Sequence, residues 1–220
     1  MNCPFCSEYT NPVESQFYVE IGKHTGYKSR ILLETDNWYV IPTMGSLTVG
    51  YVLLVTKQHF LSLANLNSEM YFEMLDLKRA VEEILFKRLG MRCIAFEHGT
   101  VNTFNKGANS VDHVHIHILP FTHPIWPNII SDIPETDFES VDSYEKLYAR
   151  WQNDLPNSYL LFQDLNQRIY YISDASKMPS QLFRKCLAPH LGAAHWDWRS
   201  EAYSDNIIQT IELFSQSKNK

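Results

Sequence analysis

Short apolar runs dominate the first third of this 220-residue chain. Residues 17–21 and 30–34 predict an opening hairpin with a loose turn, and residues 38–41 predict a third strand that Pro42 stops. Residues 51–56 are almost continuously apolar, which is typical of a strand buried on both faces. The beginning of the chain therefore predicts β structure.

One long helix follows these strands. Asn67 and Ser68 can accept the unpaired backbone N–H groups of a first helical turn. Apolar side chains then recur at helical spacing, at Met70, Met74, Leu77, Val81, Ile84 and Leu85. Gly90 is the kind of residue that ends a helix. We expect the helix to cover residues 68–89.

The pattern changes near residue 122. Before it, residues 93–97 and 113–119 predict two strands around a polar loop. After it, residues 121–140 predict an irregular, proline-containing connection. The remaining elements are a predicted hairpin at 159–163 and 168–172 and predicted helices at 143–152, 180–191 and 205–214. We expect one domain over residues 1–122 and a C-terminal extension over residues 123–220 packed on it.

Composition narrows the classes of protein. The chain is 45% hydrophobic and contains 12 Tyr, 12 Phe and 5 Trp, which predicts a packed core rather than disorder. A net charge of −6 counts against binding nucleic acid through bulk electrostatics. The N-terminus lacks the basic start and the apolar run of a signal peptide. No apolar segment reaches membrane-spanning length. We therefore expect a soluble, cytoplasmic protein that binds neither membrane nor nucleic acid.

The most specific pattern is the strand that contains three histidines. Side chains alternate between the faces of a strand, so His113, His115 and His117 share one face. Neighbouring members have α-carbons roughly 6.5–7 Å apart. In this arrangement one neutral imidazole can attack a phosphorus atom while a protonated neighbour balances the charge of the phosphate. Alternatively, the three imidazoles can bind a metal, or they can be incidental to a polar strand face.

This strand resembles the defining His-φ-His-φ-His-φ-φ motif of the histidine-triad (HIT) superfamily, where φ is apolar. Residues 96–99, Phe-Glu-His-Gly, and residues 110–113 resemble the segments that precede the motif in one bacterial branch. Residues 51–55 followed by Lys-Gln-His resemble the "LVxPKxH" segment of the family. The resemblance spans roughly residues 1–120.

The resemblance implies an α+β fold, in which an antiparallel half-barrel sheet carries a long helix. The hairpin and helices that the pattern predicts after residue 122 would add a smaller α+β C-terminal extension. Many members of the family form dimers through this long helix and a central strand. A homodimer through residues 68–89 is therefore one expectation. The apolar face of this helix is explained equally well by packing in its own core.

The resemblance also implies catalytic roles. His115 would attack the α-phosphorus of a nucleotide, His117 would contact phosphate or orient His115, and His113 would be their neighbour. The family's phosphate-binding Gln and Ser match Asn109 and Ser110. The other candidate nucleotide-binding residues are Asn102, Gly107 and Tyr51. Many catalytic members have a fourth histidine where Tyr51 stands, and a phenol is a poorer proton source near neutral pH.

A metal site is the second implication of the resemblance. Zinc-bearing relatives use a Cys-x-x-Cys pair, a histidine of the "PKxH" segment and the first triad histidine. The matching residues are Cys3, Cys6, His59 and His113. Four such ligands suit a structural, tetrahedral Zn²⁺. The alternative is a metal-free pair of reduced thiols.

The favoured function is an enzyme that cleaves at the α-phosphorus of a nucleoside phosphate conjugate, such as an adenosine conjugate, through a nucleotidyl-histidine intermediate. Family transferases usually have Gln at the third triad position, so His117 favours hydrolysis over nucleotidyl transfer. The alternative is a non-catalytic, zinc-stabilised nucleotide-binding or interaction module, which Tyr51 favours. A third hypothesis, hydrolysis of adenylated DNA ends, conflicts with the acidic charge balance.

Overall fold

A computed structural model describes residues 3–101, 111–133 and 138–215. The α-helices are α1 Pro4–Thr10, α2 Lys23–Thr25, α3 Ser68–Leu89, α4 Trp126–Asp132, α5 Tyr144–Trp151, α6 Leu182–Leu187 and α7 Ser204–Ser215. The strands are β1 Leu33–Glu34, β2 Trp38–Pro42, β3 Val52–Thr56, β4 Arg92–Thr100, β5 His115–Phe121, β6 Glu139–Val141, β7 Ser158–Gln163 and β8 Ile169–Ile172. Short 3₁₀ turns occupy Pro12–Glu14, Leu63–Asn65 and Ala188–Leu191, and Tyr18–Gly22 forms a π-helical turn.

All eight strands form one open sheet in the order β1-β2-β3-β5-β4-β7-β8-β6. Every neighbouring pair is antiparallel. The predicted α+β class, with an antiparallel sheet and a long packed helix, is therefore confirmed. The sheet places β5 at its centre, between β3 and β4.

Both faces of this sheet are covered. On one face, Val52 of β3 and Ile116 of β5 pack in a core with α3, α5 and α7. On the other face, Leu53 and Phe96 pack with α1, α4 and α6. All the residues of β2, β3, β5 and β7 are consequently buried. Because side chains alternate along a strand, the second face is also the one that carries the histidines of β5.

Helix α3 begins and ends at the signals in the sequence. The side chain of Asn67 accepts a hydrogen bond from the backbone N–H of Met70 at 2.9 Å. Gly90 follows the helix with φ of 69°, and its N–H donates to the carbonyl of Phe86. The apolar face of α3 packs on the sheet, while Phe72 and Phe86 are exposed. The homodimer through this helix remains a prediction.

The C-terminal segment continues the same sheet. Strand β7 pairs with β4 from Ala95 opposite Gln163 to Thr100 opposite Ser158. The predicted hairpin at 159–163 and 168–172 is present as β7 and β8. The segment after residue 122 thus extends the sheet of the first 122 residues by hydrogen bonding of β7 to β4. The predicted domain boundary at residue 122 remains a prediction.

The predicted opening hairpin is wrong. Residues 18–22 and α2 are helical, and β1 contains two residues only. Phe17 and Ile21 lie four positions apart and are both buried, which is the spacing of a helix face rather than a strand. The connection after residue 121 also contains α4, where Pro127 occupies the first turn and loses no helical hydrogen bond. No helix in the described ranges is both long and apolar enough to cross a membrane.

Candidate active site

Strand β5 presents two histidines at the centre of the second sheet face. His115 lies opposite Val55 of β3, and His117 lies between Leu53 of β3 and Phe96 of β4. The ring centroids of the two histidines are 5.0 Å apart. They are only 6% and 8% exposed, so their chemistry takes place away from bulk water.

A backbone hydrogen bond fixes the tautomer of His115. Its Nδ1 lies 2.6 Å from the carbonyl oxygen of His113. A carbonyl can only accept, so Nδ1 carries the proton and Nε2 keeps its lone pair. Burial lowers the pKa of His115 to about 4. The ring is therefore neutral near neutral pH, and Nε2 is available as a nucleophile or ligand.

His117 is held by an aromatic ring and a phenol. Its ring stacks on Phe96, with centroids 4.3 Å apart and an interplanar angle of 12°. Its Nδ1 lies 2.7 Å from the hydroxyl of Tyr51. Tyr51 is fully buried beside His117. The role predicted for Tyr51 in nucleotide binding remains a prediction.

The two histidines face a cavity of about 210 Å³. Its wall is mainly apolar and combines the N-terminal helix, the central strands with their loops, and the C-terminal segment. Apolar residues of these three parts are Phe5, Met44, Leu53, Phe96 and Trp198. His98 also lines the cavity, with its ring centroid 6.3 Å from that of His117. We assigned His98 no role from the sequence. The available signal was its position two residues after Phe96, which places both on one strand face.

The C-terminal segment forms one side of this cavity through Arg184. Arg184 is 2% exposed and lines the cavity. Its Nε donates to the carbonyl of Trp196 at 3.0 Å, and its Nη2 donates to the carbonyl of Gly45 at 2.6 Å. Its central carbon lies 5.5 Å from the centroid of the Tyr51 ring. Nothing in the sequence pattern of residues 180–191 distinguishes this arginine, so it was not among the predicted site residues.

Gly45 allows this close approach. Its φ is +66°, and a Cβ at this position would lie 2.6 Å from the Cα of Trp198 and 2.7 Å from Nη2 of Arg184. The loop that follows is fastened to the same segment, because the backbone N–H of Gly50 donates to Thr210 Oγ1 at 2.8 Å. The C-terminal segment and the loop before β3 therefore form one packed unit at the cavity.

A second cluster lies beside the histidine strand. Cys3, Cys6, His59 and His113 place their ligand atoms within 4.8 Å of one another. Nδ1 of His113 is 3.3 Å from Sγ of Cys3 and 3.5 Å from Sγ of Cys6. Nε2 of His113 donates to the carbonyl of Thr56 at 2.8 Å, which leaves the Nδ1 lone pair directed at the thiols. These four residues can hold a metal ion.

A buried ion pair fastens α1, which carries Cys6, to the rest of the chain. Nε and Nη2 of Arg30 each lie 2.7 Å from a carboxylate oxygen of Glu8. Nη1 of Arg30 donates to the carbonyl of Pro42. Two-pronged pairing of this kind is the strong form of an Arg–carboxylate contact. This ion pair holds α1, and with it Cys6, next to the sheet whether or not a metal is bound.

The structure brings together all seven predicted histidine, cysteine and tyrosine site residues, namely Cys3, Cys6, Tyr51, His59, His113, His115 and His117. The other four predicted nucleotide-binding residues, Asn102, Gly107, Asn109 and Ser110, lie outside the described residues.

Comparison with known proteins gives a family match over the centre of the chain. The family model of the HIT domain matches residues 25–123. A search of curated proteins gave no match.

Solved structures of low identity are similar over half the chain or more. A HIT-like protein involved in cell-cycle regulation from Bartonella henselae is 16% identical over 56% of this chain and 81% of its own, with a TM-score of 0.42. A HIT family member from Bacillus subtilis is 15% identical over 70% and 98%, with a TM-score of 0.44. A HIT family hydrolase from Clostridium thermocellum is 19% identical over 55% and 91%, with a TM-score of 0.36.

Proposed function

Because residues 25–123 of this chain form a HIT domain, we propose that the protein is a nucleotidyl hydrolase in which His115 attacks the α-phosphorus of a nucleoside phosphate conjugate. A HIT domain indicates nucleotide binding and chemistry of the hydrolase or transferase kind. The observation that carries the proposal is the hydrogen bond from Nδ1 of His115 to the carbonyl of His113, which leaves a lone pair on Nε2 at the cavity.

The proposed reaction has two steps. In the first, Nε2 of His115 forms a bond to the α-phosphorus, and the leaving group departs with the electron pair of its own bond to phosphorus and takes up a proton. In the second, water attacks the same phosphorus and gives up one proton, which balances the proton taken up by the leaving group. The P–N bond breaks, and the electron pair returns to Nε2 while a nucleoside monophosphate is released. Splitting the displacement in this way is the general advantage of a covalent intermediate.

Neighbouring side chains support these steps. The ring of His117 lies 5.0 Å from that of His115 and is oriented by Phe96 and Tyr51, so it can donate a hydrogen bond to a phosphoryl oxygen. The apolar wall of the cavity can exclude water while the intermediate forms and can contact the nucleoside. Histidine at the third triad position favours hydrolysis over transfer to a second acceptor.

The group of two cysteines and two histidines beside the histidine strand supports a structural role for Zn²⁺. Two thiolates and two imidazoles are the donor set that a tetrahedral zinc site uses. Cys3, Cys6, His59 and His113 would hold the ion, and it would supply a link between the N-terminus and the sheet. The hydrogen bond that orients His113 on the Thr56 carbonyl is the supporting contact expected behind a metal-binding imidazole. Because the carbonyl of His113 also binds His115, this link would steady the nucleophile.

A non-catalytic nucleotide-binding module is the second candidate function. The tyrosine at position 51 favours it, because its hydroxyl has a pKa raised to about 12 by burial and supplies no proton near neutral pH. In this case the cavity would bind a nucleotide, and no bond to phosphorus would form.

Substrate turnover separates the two candidates. The purified protein is incubated with adenosine phosphoramidate, diadenosine polyphosphates and an aminoacyl adenylate, and nucleoside monophosphate is followed by chromatography. His115→Ala should abolish release, while His190→Ala, which changes an exposed histidine of the C-terminal segment, should not. Intact-mass spectrometry of samples quenched without acid should detect a nucleotidyl adduct in wild type and in His190→Ala, and none in His115→Ala. A folded wild-type protein that binds AMP without releasing product from any substrate would favour the binding module.

A further inference from the structure

We propose that Arg184, from the C-terminal segment, binds the anionic phosphoryl group of the substrate in the cavity beside His115 and His117. This inference rests on the proposed function, because it names the residue that recognises the phosphate at the same site. It assigns to residues outside the HIT domain a part in ligand binding that the triad strand does not supply.

The first argument is the fixed orientation of the guanidinium. Its Nε and Nη2 are both used, in hydrogen bonds to the carbonyls of Trp196 and Gly45. These bonds hold the planar group from two sides, so little conformational entropy is lost when it binds a ligand. Nη1 is buried and has no acceptor in good hydrogen-bond geometry among the described residues. The guanidinium does lie close enough to the Tyr51 hydroxyl to oppose part of the rise in the pKa of that phenol. A donor in this situation is costly unless a ligand supplies its acceptor.

The second argument is the charge of the cavity. Arg30 and Arg184 both line it, together with the acidic residues Glu8 and Glu14. Glu14 is exposed. Arg30 is paired with Glu8 through two hydrogen bonds. Within the described ranges, Arg184 forms no ion pair with a carboxylate. A buried charge without a partner is unfavourable, so the cavity as built favours an anion at Arg184.

The third argument is position relative to the triad. The guanidinium lies over the ring of Tyr51, and the hydroxyl of that ring contacts His117. The pKa of His117 lies well below its usual range, mainly because the ring is buried and to a smaller extent because of the charges of His115, His98 and Arg184. The contribution of Arg184 is the effect expected of a cation within electrostatic reach. An oxygen bound at Nη1 of Arg184 would therefore be near the histidine pair.

The guanidinium and the nucleophile have complementary tasks. Nδ1 of His115 is already used in its hydrogen bond to the carbonyl of His113, and Nε2 is the atom that would attack phosphorus, so His115 has no N–H group left for a phosphate oxygen. Arginine is always charged in proteins, and in Arg184 the N–H groups of Nη1 can donate to a phosphate oxygen. The ligand class that fits is a nucleoside phosphate that carries at least one ionised phosphoryl oxygen, in preference to the uncharged nucleoside.

Binding of AMP and of adenosine tests this inference on the full chain. Isothermal titration calorimetry is carried out on wild type, Arg184→Gln, Arg184→Lys and Lys185→Gln. Lys185 is the next residue of α6, is exposed and provides the matched loss of one positive charge. Arg184→Gln should weaken AMP binding on the order of 10–100-fold, because hydrogen bonds to charged groups contribute that much. Its adenosine affinity should stay close to that of wild type, and Lys185→Gln should match wild type for both ligands.

Arg184→Lys keeps the charge and loses the planar fork, so its AMP affinity should lie between those of wild type and Arg184→Gln. This variant carries the test if near-ultraviolet circular dichroism shows that Arg184→Gln is not folded. Wild-type affinity for AMP in the glutamine variant would overturn the inference. Equal losses for AMP and adenosine would also overturn it, because they would indicate a structural role. A wild-type protein that binds AMP and turns over no conjugate would instead contradict the proposed hydrolase and leave the assignment of Arg184 intact.

Discussion

The hydroxyl of Tyr51 lies 2.7 Å from Nδ1 of His117, and both side chains are buried on the histidine face of the sheet. Burial raises the pKa of this phenol to about 12, so it stays protonated and can donate its hydrogen to Nδ1. His117 then carries its ring proton on Nε2. A tyrosine at position 51 can thus orient a triad histidine toward a phosphoryl oxygen without transferring a proton itself.

Replacing Tyr51 with Phe should remove this orientation. The buried Nδ1 of His117 would lose its partner, which costs about 1–3 kcal/mol of unfolding free energy, and turnover should fall on the order of tenfold. Urea unfolding and steady-state kinetics measure the two effects. Tyr39→Phe is the matched control, since Tyr39 is buried on the same face and its hydroxyl makes a longer contact of 3.4 Å to the carbonyl of Phe5. Unchanged turnover in Tyr51→Phe would show that the phenol does not orient His117 for catalysis.

Gly45→Ala should disturb the contact between the C-terminal segment and the loop before β3. The new Cβ would lie 2.6 Å from the backbone of Trp198, and the positive φ adds strain. We expect a loss of about 2–4 kcal/mol in the free energy of unfolding and weaker AMP binding. Gly26→Ala is the control, because Gly26 has φ of +84° and a Cβ added there would meet no atom within 4 Å. It should cost only about 1 kcal/mol and leave AMP binding intact, and a similar loss in both variants would contradict the packing argument.

Cys6→Ser should abolish metal binding. Removing one of four ligands leaves an incomplete site, so the purified variant should contain no stoichiometric zinc by elemental analysis and should unfold at a lower temperature than wild type. Cys186→Ser is the control for losing a thiol, since burial raises the pKa of Cys186 to about 11 and keeps it protonated and unreactive. Cys186→Ser should keep its zinc. If the wild-type protein is expressed in zinc-supplemented medium and contains no zinc after purification, the proposed zinc site is contradicted.

Glu97 should make stability depend on pH. Burial raises the pKa of its carboxyl to about 8 from the ordinary value of 4.5. Tyr159 and the backbone of Leu63 both donate hydrogen bonds to it, yet these only partly offset the burial. The folded state thus binds more protons than the unfolded state between these two values, and the carboxyl should lower stability as pH rises through that window.

Glu97→Gln does not ionise and should remove this effect. The variant should gain stability relative to wild type from about pH 4.5 to about pH 8, and the difference should reach the order of 4 kcal/mol. Guanidinium unfolding at a series of pH values measures it. The buried histidines of β5 have lowered pKa values and act in the opposite direction below pH 6.5, so the comparison is between variant and wild type at each pH. A constant difference across the range would show that Glu97 is ionised when folded.

The elements with long, regular patterns could be predicted from the sequence. Helix α3 has a complete apolar stripe and caps at both ends, and the alternation in β5 determines which side chains share a face. The shared face of the triad histidines follows from their local spacing. The grouping of Cys3 and Cys6 with His59 and His113 was expected only from the family resemblance. The segment around Phe17 and Ile21 is helical, whereas its sequence predicted a strand. Five apolar-rich residues are too few to distinguish the helical repeat of 3.6 residues from the strand repeat of two.

The C-terminal side of the cavity could not be predicted. Arg184 is one basic residue on a short helix, and its importance depends on contacts with Gly45 and Trp196. The pairing of β7 with β4 likewise joins strands that are far apart in sequence. Such non-local contacts leave no periodic trace, so only the folded structure reveals them.

The bond between Arg184 and Gly45 joins residues 139 positions apart. Contacts between such distant residues form late, since loop-closure entropy opposes them until much of the chain is ordered. We therefore expect the cavity to be among the last features completed during folding, so that an unfinished chain presents its histidine strand to solvent. A nucleotide that touches both His115 and Arg184 would bind only the finished state and would stabilise it by mass action. A nucleotide bound in the cavity would then also act as a folding ligand.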